Sequence, residues 1–343
     1  MAAEISAVAS PNKKPSSSEA SASSDTSPKK QLKIETRTTP SMIRDLLAYW
    51  GDQTYLIQNH LSVSFNQCFL LSKASNPSKL YLAKVTDLTK CSPNFTKANR
   101  GELLVSSIPP HPGIKTIANR YFFGNKRATP EQTTESQCAV FISDYDEGMD
   151  LFEFLTESSH PLSLDQALKF AIKIGNAVSY LHQQGIIYRD LKPENVLVKG
   201  DGSISLIDFE YAKYSSPNEP LSPVGSPSYT PPESYDKAFR NKVPKEADEL
   251  GYQHDSFSFG ALIFFLITGK PLFDDENSLV VIKRVCKYGK GTFSLDLTEI
   301  EDPLVLDVIR RLLDPNPKNR ISVVGATEML TKIQEERDPT PTI

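Results

Sequence analysis

Asp190, Lys192 and Asn195 sit on one short stretch, Tyr188-Arg189-Asp190-Leu191-Lys192-Pro193-Glu194-Asn195. A carboxylate there can take the proton from a hydroxyl nucleophile. An ammonium beside it can stabilise a phosphoryl group in flight, and a carboxamide can hold a metal ion. Together they meet the needs of phosphoryl transfer, where a protein contributes mostly position and charge.

This run resembles the catalytic loop of the protein kinase family, and its Asp-Leu-Lys-Pro-Glu-Asn string is similar to the serine/threonine branch rather than the tyrosine branch. Such a motif needs its context. Ile204 to Glu210 is an apolar strand ending in Asp208 and Phe209, similar to the family's Asp-Phe-Gly element with Glu210 in place of Gly. Gly225 to Glu233 resembles the end of an activation segment, and Asp255 to Gly260 the start of the buried central helix of a large lobe. Arg320 stands where the family places the partner of Glu233. The resemblance covers roughly residues 57 to 330 and implies an α+β, bilobal kinase fold. A small β-rich lobe with one key helix (about 57–143) would precede a large helical lobe (about 147–330). It implies Asp190 as catalytic base with Lys192 and Asn195 beside it, and Asn195 with Asp208 as the Mg²⁺ ligands.

The elements that must position these groups are legible in part. Leu80 to Val85 reads as a strand carrying Lys84, and Glu102, ahead of His111-Pro112-Gly113-Ile114, stands where the family's partner Glu lies. A Lys84–Glu102 pair would hold Lys84 against the α- and β-phosphates. Gly101 beside Glu102 weakens that helix by about 1 kcal/mol relative to Ala, so it is expected to be loosely held. Counting back from Lys84, the family's phosphate loop falls on Ser62 to Phe69, with Ser62, Ser64 and Gln67 filling its three Gly positions. Glycine matters there because bare backbone can approach phosphate oxygens. The same count puts Phe69 and Leu82 in the roof of the adenine pocket, where both add volume. Ser143 takes the gatekeeper position before Asp144 and Tyr145 at the hinge, and Leu197 joins the nucleotide-contacting set. Asp150 either approaches the ribose or simply opens a helix.

In the large lobe, Ser163 and Gln166 form a capping box for a helix running to Gln184, with Leu168, Ala171, Gly175, Val178 and Leu181 on its apolar face and Gly185 ending it. Its task is to aim the catalytic loop; His182 reads as a structural residue at its end. Pro303 opens a second helix, packed through Val305, Val308, Ile309 and Leu312. Tyr188, where His is common, can pack its ring on Phe209. Arg189 before Asp190 implies a pocket for a phosphate on the activation segment; Ser222 sits at the usual site, with Lys213 as a second cation, and an upstream kinase would supply the phosphate. An unmodified Ser222 in a segment ordered by other contacts is the alternative. Glu210 either locks the segment or weakens Mg²⁺ binding. Residues 234–250, rich in Lys, Glu and Asp, read as a surface insertion.

Composition sets the outer limits. A chain of 343 residues with 39% hydrophobic content has room for a two-lobed domain and a tail. The net charge is −4, with no basic stripe, which gives no electrostatic case for nucleic acid. The longest apolar run, Ala261 to Ile267, is too short to span a bilayer, so no membrane insertion is expected. Cys68, Cys91, Cys138 and Cys286 are widely spaced and read as reduced thiols in a cytoplasmic protein, with a nuclear or secreted location left open. Residues 1–40, rich in Ser, Pro and Lys, read as a disordered tail, 41–56 as a short extension helix and 331–343 as a C-terminal tail.

The resemblance therefore implies ATP as donor, Mg²⁺ as cofactor and protein serine or threonine hydroxyls as acceptors. A rival stays open: a pseudokinase that scaffolds or switches a partner, because Ser62, Ser64, Gln67, Phe69, Leu82 and Glu210 alter the nucleotide site while the catalytic floor is complete.

Overall fold

Two arrangements of secondary structure follow one another along the chain, first a sheet and then a helical body. The structure, a computed structural model, describes residues 55–62, 67–87, 100–124, 136–157, 162–215, 223–236 and 247–338. The expected tail 1–40, residues 41–54, Ser64 and Ser222 lie outside them.

Strands β1 (Tyr55–Ser62), β2 (Gln67–Lys73), β3 (Asn76–Asp87), β4 (Ile117–Gly124) and β5 (Ser136–Asp144) form an antiparallel sheet in the order β1-β2-β3-β5-β4. Alternation along a strand sends neighbouring side chains to opposite faces. One face buries Tyr55, Phe69, Leu71, Tyr81, Ala83, Val85, Val140 and Ile142 as a small core. The other carries Lys84 opposite Phe141, and Leu82 opposite Ser143. Helix α1 (Arg100–Val105) lies against this second face, with Leu103 packed on Ala139 and Phe141. The first strand begins at Tyr55, inside the stretch expected to be a helix.

Phe69 is a correction. It pairs with Ala83 rather than with a cleft-facing residue, stacks on His60 with ring centroids 4.6 Å apart, and is buried in the small core. The residues of β2 that share the cleft face are Cys68, directly opposite Lys84, and Leu70, directly opposite Leu82. A register shift between Ser72 and Lys73 breaks the simple count from Lys84. A one-residue slip moves a side chain to the other face of the sheet, so the offset that places a roof residue in the family fails here.

Next come β6 (Gly148–Asp150), α2 (Leu151–Glu157) and α3 (Leu164–Gln183). Asp150 accepts the main-chain N–H of Glu153 at 2.8 Å, which is the helix-opening role. The capping box at Ser163 and Gln166 is formed, and Gly185 leaves α3 with φ +76°. After it come β7 (Ile186–Ile187), β8 (Val196–Lys199), β9 (Ile204–Leu206) and β10 (Lys213–Tyr214). The central helix α4 (Ala247–Thr268) starts well before the expected Asp255. It is apolar on every side in its second half, and Phe257, Phe259, Leu262, Ile263 and Leu266 are all buried. The stretch read as a surface insertion is thereby narrowed, since Ser234 is buried in a 3₁₀ turn (Pro232–Tyr235) and α4 takes over from Ala247. Helices α5 (Ser278–Gly289), α6 (Pro303–Leu312) and α7 (Val323–Arg337) complete the body. Pro303 opens α6 behind an Asp302 cap, and Val305, Val308, Ile309 and Leu312 are buried as expected. Helix α7 runs beyond the boundary expected at 330; Ile333 is buried and Arg337 pairs with Asp165 and Asp302.

Glu233 and Arg320 meet in a bidentate buried pair, 2.5 and 2.8 Å, which ties the end of the activation segment to the helical body. The guanidinium also lies over the Phe257 ring, 5.0 Å from its centroid.

Because Phe69 belongs to the small core, Phe69→Ala should lower stability by about 3 kcal/mol or more and leave nucleotide affinity unchanged. Urea unfolding and a nucleotide titration check both; tighter nucleotide binding in the variant would put Phe69 back over the cleft.

Candidate active site

The cleft between sheet and helical body gathers the charged residues from elements far apart in the chain. Lys84 Nζ on β3 donates to Glu102 Oε1 on α1 at 3.0 Å and to Asp208 Oδ1 at 2.5 Å. Glu102 Oε1 also accepts the main-chain N–H of Phe209 at 3.3 Å. Burial opposes the ammonium of Lys84, but the carboxylates of Glu102 and Asp208 outweigh it and hold its pKa above the ordinary lysine range. Burial likewise pushes the Asp208 carboxyl up, and the Lys84 ammonium overcomes this and keeps its pKa below the usual value. Both groups are therefore charged at neutral pH.

Gly101 explains how α1 comes so close. A Cβ at this position would lie 1.9 Å from the Phe209 carbonyl oxygen and 2.7 Å from that of Ala212. The glycine that weakens α1 as an isolated helix is what lets it pack on the segment carrying Asp208. The loosely held helix expected from the sequence is thus pinned by Lys84 and by the Phe209 amide.

The catalytic loop is held from below by α4. Asp255, fully buried, accepts the main-chain N–H of Tyr188 at 2.8 Å and of Arg189 at 2.7 Å, and His182 Nε2 lies 2.8 Å from Asp255 Oδ2. Arg189 adopts φ +70°, a left-handed backbone that these bonds fix. His254 stands 3.8 Å from Asp255, outside hydrogen-bond range, so His182 is its side-chain partner. Sequence reading placed Asp255 only at the start of a helix; a carboxylate distant in sequence gives no local signal of the amides it will accept. The Tyr188 ring packs on Phe209, with centroids 5.6 Å apart.

Around Asp190 the geometry is close. Asn195 Nδ2 donates to the Asp190 carbonyl at 2.8 Å and to its Oδ2 at 2.7 Å, and Lys192 Nζ lies 3.1 Å from Oδ2. Asp190 Oδ1 is buried and has no hydrogen-bond partner among the described residues. Gly225, at φ +87°, passes directly over it; a Cβ there would lie 2.9 Å from Oδ1. The Ile207 N–H donates to the Asn195 carbonyl at 3.0 Å, so Asn195 and Asp208 leave neighbouring points of the backbone. A carboxamide oxygen and an ionised carboxylate are hard oxygen donors, a set that suits Mg²⁺, which binds few protein ligands and keeps its remaining positions for water and phosphate.

The rest of the nucleotide-contacting set divides. Leu82 and Ser143 share the cleft face of the sheet with Lys84, and Leu197 lies on β8. Asp144 and Tyr145 are exposed at the end of β5, and Asp144 pairs with Lys79 at 3.2 Å. Ser62 closes β1 and Gln67 opens β2. Cys68 and its β1 partner Leu61 lie on the face that carries Lys84, which counting along the chain did not reveal. Lys213 lies on β10, paired with Ile187 just before the catalytic loop, and Arg189 Nη1 donates to the Tyr211 carbonyl at 3.4 Å. Glu210 is buried beside the metal-ligand candidate, and its main-chain N–H supports the Asp208 carboxylate.

Burial pushes the Asp255 carboxyl up, but the hydrogen bond from His182 and the two neighbouring imidazoles of His182 and His254 outweigh it, so its pKa is held far below the usual carboxylate range. An unfolded aspartate titrates near about 3.9. The stabilisation is therefore complete above about pH 4 and fades as the pH falls towards the native pKa. Asp255→Asn should reduce stability at pH 7 and lessen its loss as the pH falls below about 4, read by urea unfolding at each pH. Parallel curves for the two proteins would mean that the Asp255 charge carries no stability.

The protein kinase domain model matches residues 71–332. Among curated relatives, serine/threonine-protein kinase SIK1 of Rattus norvegicus is 34% identical over 194 residues, covering 56% of this chain and 23% of that protein. CBL-interacting protein kinase 21 of Oryza sativa subsp. japonica is 31% identical over 188 residues, covering 54% of this chain and 33% of that protein. Aurora kinase of Schizosaccharomyces pombe is 32% identical over 175 residues, covering 51% and 45% respectively. The chain thus spans less than half the length of these relatives. With a matched family model over most of its length and the two-lobed architecture that such a domain requires, this chain belongs to the protein kinase domain family.

Proposed function

We propose that the chain is a serine/threonine protein kinase, transferring the γ-phosphoryl group of ATP to hydroxyl groups of a protein substrate. The observation that carries this reading is the pairing of Lys84 with both Glu102 and Asp208, beside an Asp190 whose Oδ1 is buried and unpartnered. The names of the relatives, serine/threonine kinases among them, support it.

Bound Mg²⁺·ATP would supply the transferable phosphoryl group and neutralise charge on its oxygens. Lys84, held by Glu102 and Asp208, would orient the α- and β-phosphates. Asp208 and Asn195 would hold the Mg²⁺ ion. Asp190 Oδ1 receives the proton of the acceptor hydroxyl, while Asn195 and Lys192 hold Oδ2 and so set the rotamer of the carboxylate. Lys192 also faces the phosphoryl group as it passes. Leu61, Cys68 and Leu82 would cover the base on one side and Leu197 would support it on the other. A phosphate on Ser222, added by an upstream kinase, would be read by Arg189 and Lys213.

The second reading, a pseudokinase scaffold, rests on Ser62, Ser64 and Gln67 in place of glycine, on Leu82 in the roof and on Glu210 beside Asp208. Phe69 no longer supports it, since that ring lies on the other face of the sheet.

Label transfer from γ-labelled ATP to a serine- and threonine-containing protein separates the two. Asp190→Asn should reduce transfer by roughly 10²- to 10⁴-fold with an unchanged circular dichroism spectrum, and Lys84→Met should be comparably impaired. Equal incorporation by wild type and Asp190→Asn, or no ATP binding at millimolar concentration, would favour the scaffold.

A further inference from the structure

Lys115 makes an interaction at the hinge that the kinase reading does not use. It follows the His111 to Ile114 turn, and its own N–H donates to the Leu206 carbonyl at 2.9 Å, which sets it where the sheet meets the helical body. Its ammonium donates to the main-chain carbonyl of Asp144 and, at 2.8 Å, to Asp146 Oδ2. Lys199 on β8 approaches the same carboxylate at 3.4 Å. Burial pushes the Asp146 carboxyl up, but the Lys115 and Lys199 ammonium groups outweigh it, so the carboxylate that anchors them stays charged.

These groups border the slot proposed for the base. Ile117, two residues after Lys115, pairs with Ser143, and Ser143 pairs with Leu82 on the face that carries Lys84. On the opposite wall, Leu197 lies two residues before Lys199, on the same side of β8. Hydrogen-bonding groups of the hinge therefore meet the edge of any purine held between Leu82 and Leu197. The 6-amino group of adenine is a donor and needs an acceptor there. The Asp144 carbonyl is such an acceptor, and Lys115 already donates to it. A carbonyl has two lone pairs, but an ammonium and an amine both present hydrogens and compete for the same space. A 6-oxo base meets the opposite situation, since its oxygen can accept from the ammonium.

We propose that Lys115 sets the purine selectivity of this cleft, competing with the 6-amino group of adenine at the Asp144 carbonyl and donating to the 6-oxo group of hypoxanthine or guanine. The proposal rests on the nucleotide-binding reading above. A donor facing a donor loses a buried hydrogen bond, an effect of roughly tenfold or more in affinity.

The test is calorimetric titration of the full chain with Mg²⁺·ATP and with Mg²⁺·ITP, for wild type, Lys115→Leu and Asp146→Asn. Wild type should bind ITP at least as tightly as ATP. Lys115→Leu should shift the ratio towards ATP by roughly tenfold or more, and Asp146→Asn, which releases the ammonium from its anchor, should shift it the same way by less. A side chain with only a structural role would change both affinities together and leave the ratio alone. The Asp146→Asn protein decides the matter if Lys115→Leu does not fold. An unchanged ratio, with both nucleotides bound, overturns the role of Lys115 and leaves the nucleotide reading standing. Absence of binding by either nucleotide to any of the three proteins overturns that reading and the proposal with it.

Discussion

One ammonium group joins the two halves of this domain. Lys84 extends from the third strand of the sheet and is held by Glu102, from the short helix beside it, and by Asp208, from the strand end on the helical body. Two carboxylates this close would repel, and a lone buried ammonium would be poorly solvated. Each of the three charges is tolerable only because the others are in place. The position of α1, the direction of the segment after β9 and the closure of the cleft are therefore linked through a single nitrogen. Gly101 is the steric condition for that linkage, because no side chain fits between α1 and the Phe209 carbonyl.

The catalytic loop depends on a second buried charge of a different kind. Asp255 accepts two consecutive main-chain amides, and this holds Arg189 in its left-handed conformation just before Asp190. His182, at the end of α3, meets the same carboxylate. Two helices and a loop thus converge on one side chain, and the loop is placed by the helical core rather than by its own sequence. Glu233 and Arg320 do comparable work for the activation segment, where paired charge-assisted hydrogen bonds offset the burial of both ions.

The nucleotide side of the cleft departs most from the family pattern, though not in the way the residue count implied. Phe69 fills the small core, and a thiol, Cys68, takes the roof position opposite Lys84. At the hinge, Asp146 is met by Lys115 and by Lys199 from β8. The changes that set this cleft apart are therefore polar as well as steric.

The domain family, the set of chemical groups and the main helices were legible in the sequence alone. Asp190, Lys192, Asn195 and Asp208 lie in short contiguous motifs, and α3 and α6 announce themselves through capping residues and apolar spacing that act within a few turns. Tertiary structure decided which of these groups meet. The Lys84–Glu102 pairing joins residues 18 apart and the Lys84–Asp208 pairing residues 124 apart, and no local periodicity encodes such a distance. It also decided which face of β2 looks into the cleft. A side chain alternates sides with every residue, so the irregularity between Ser72 and Lys73 was enough to exchange Phe69 for Cys68, and only the pairing of the strands reveals it. The reach of α7 to Arg337 was hidden for a related reason: Ile333 is buried and Arg337 pairs with Asp165 and Asp302, partners far away in the sequence.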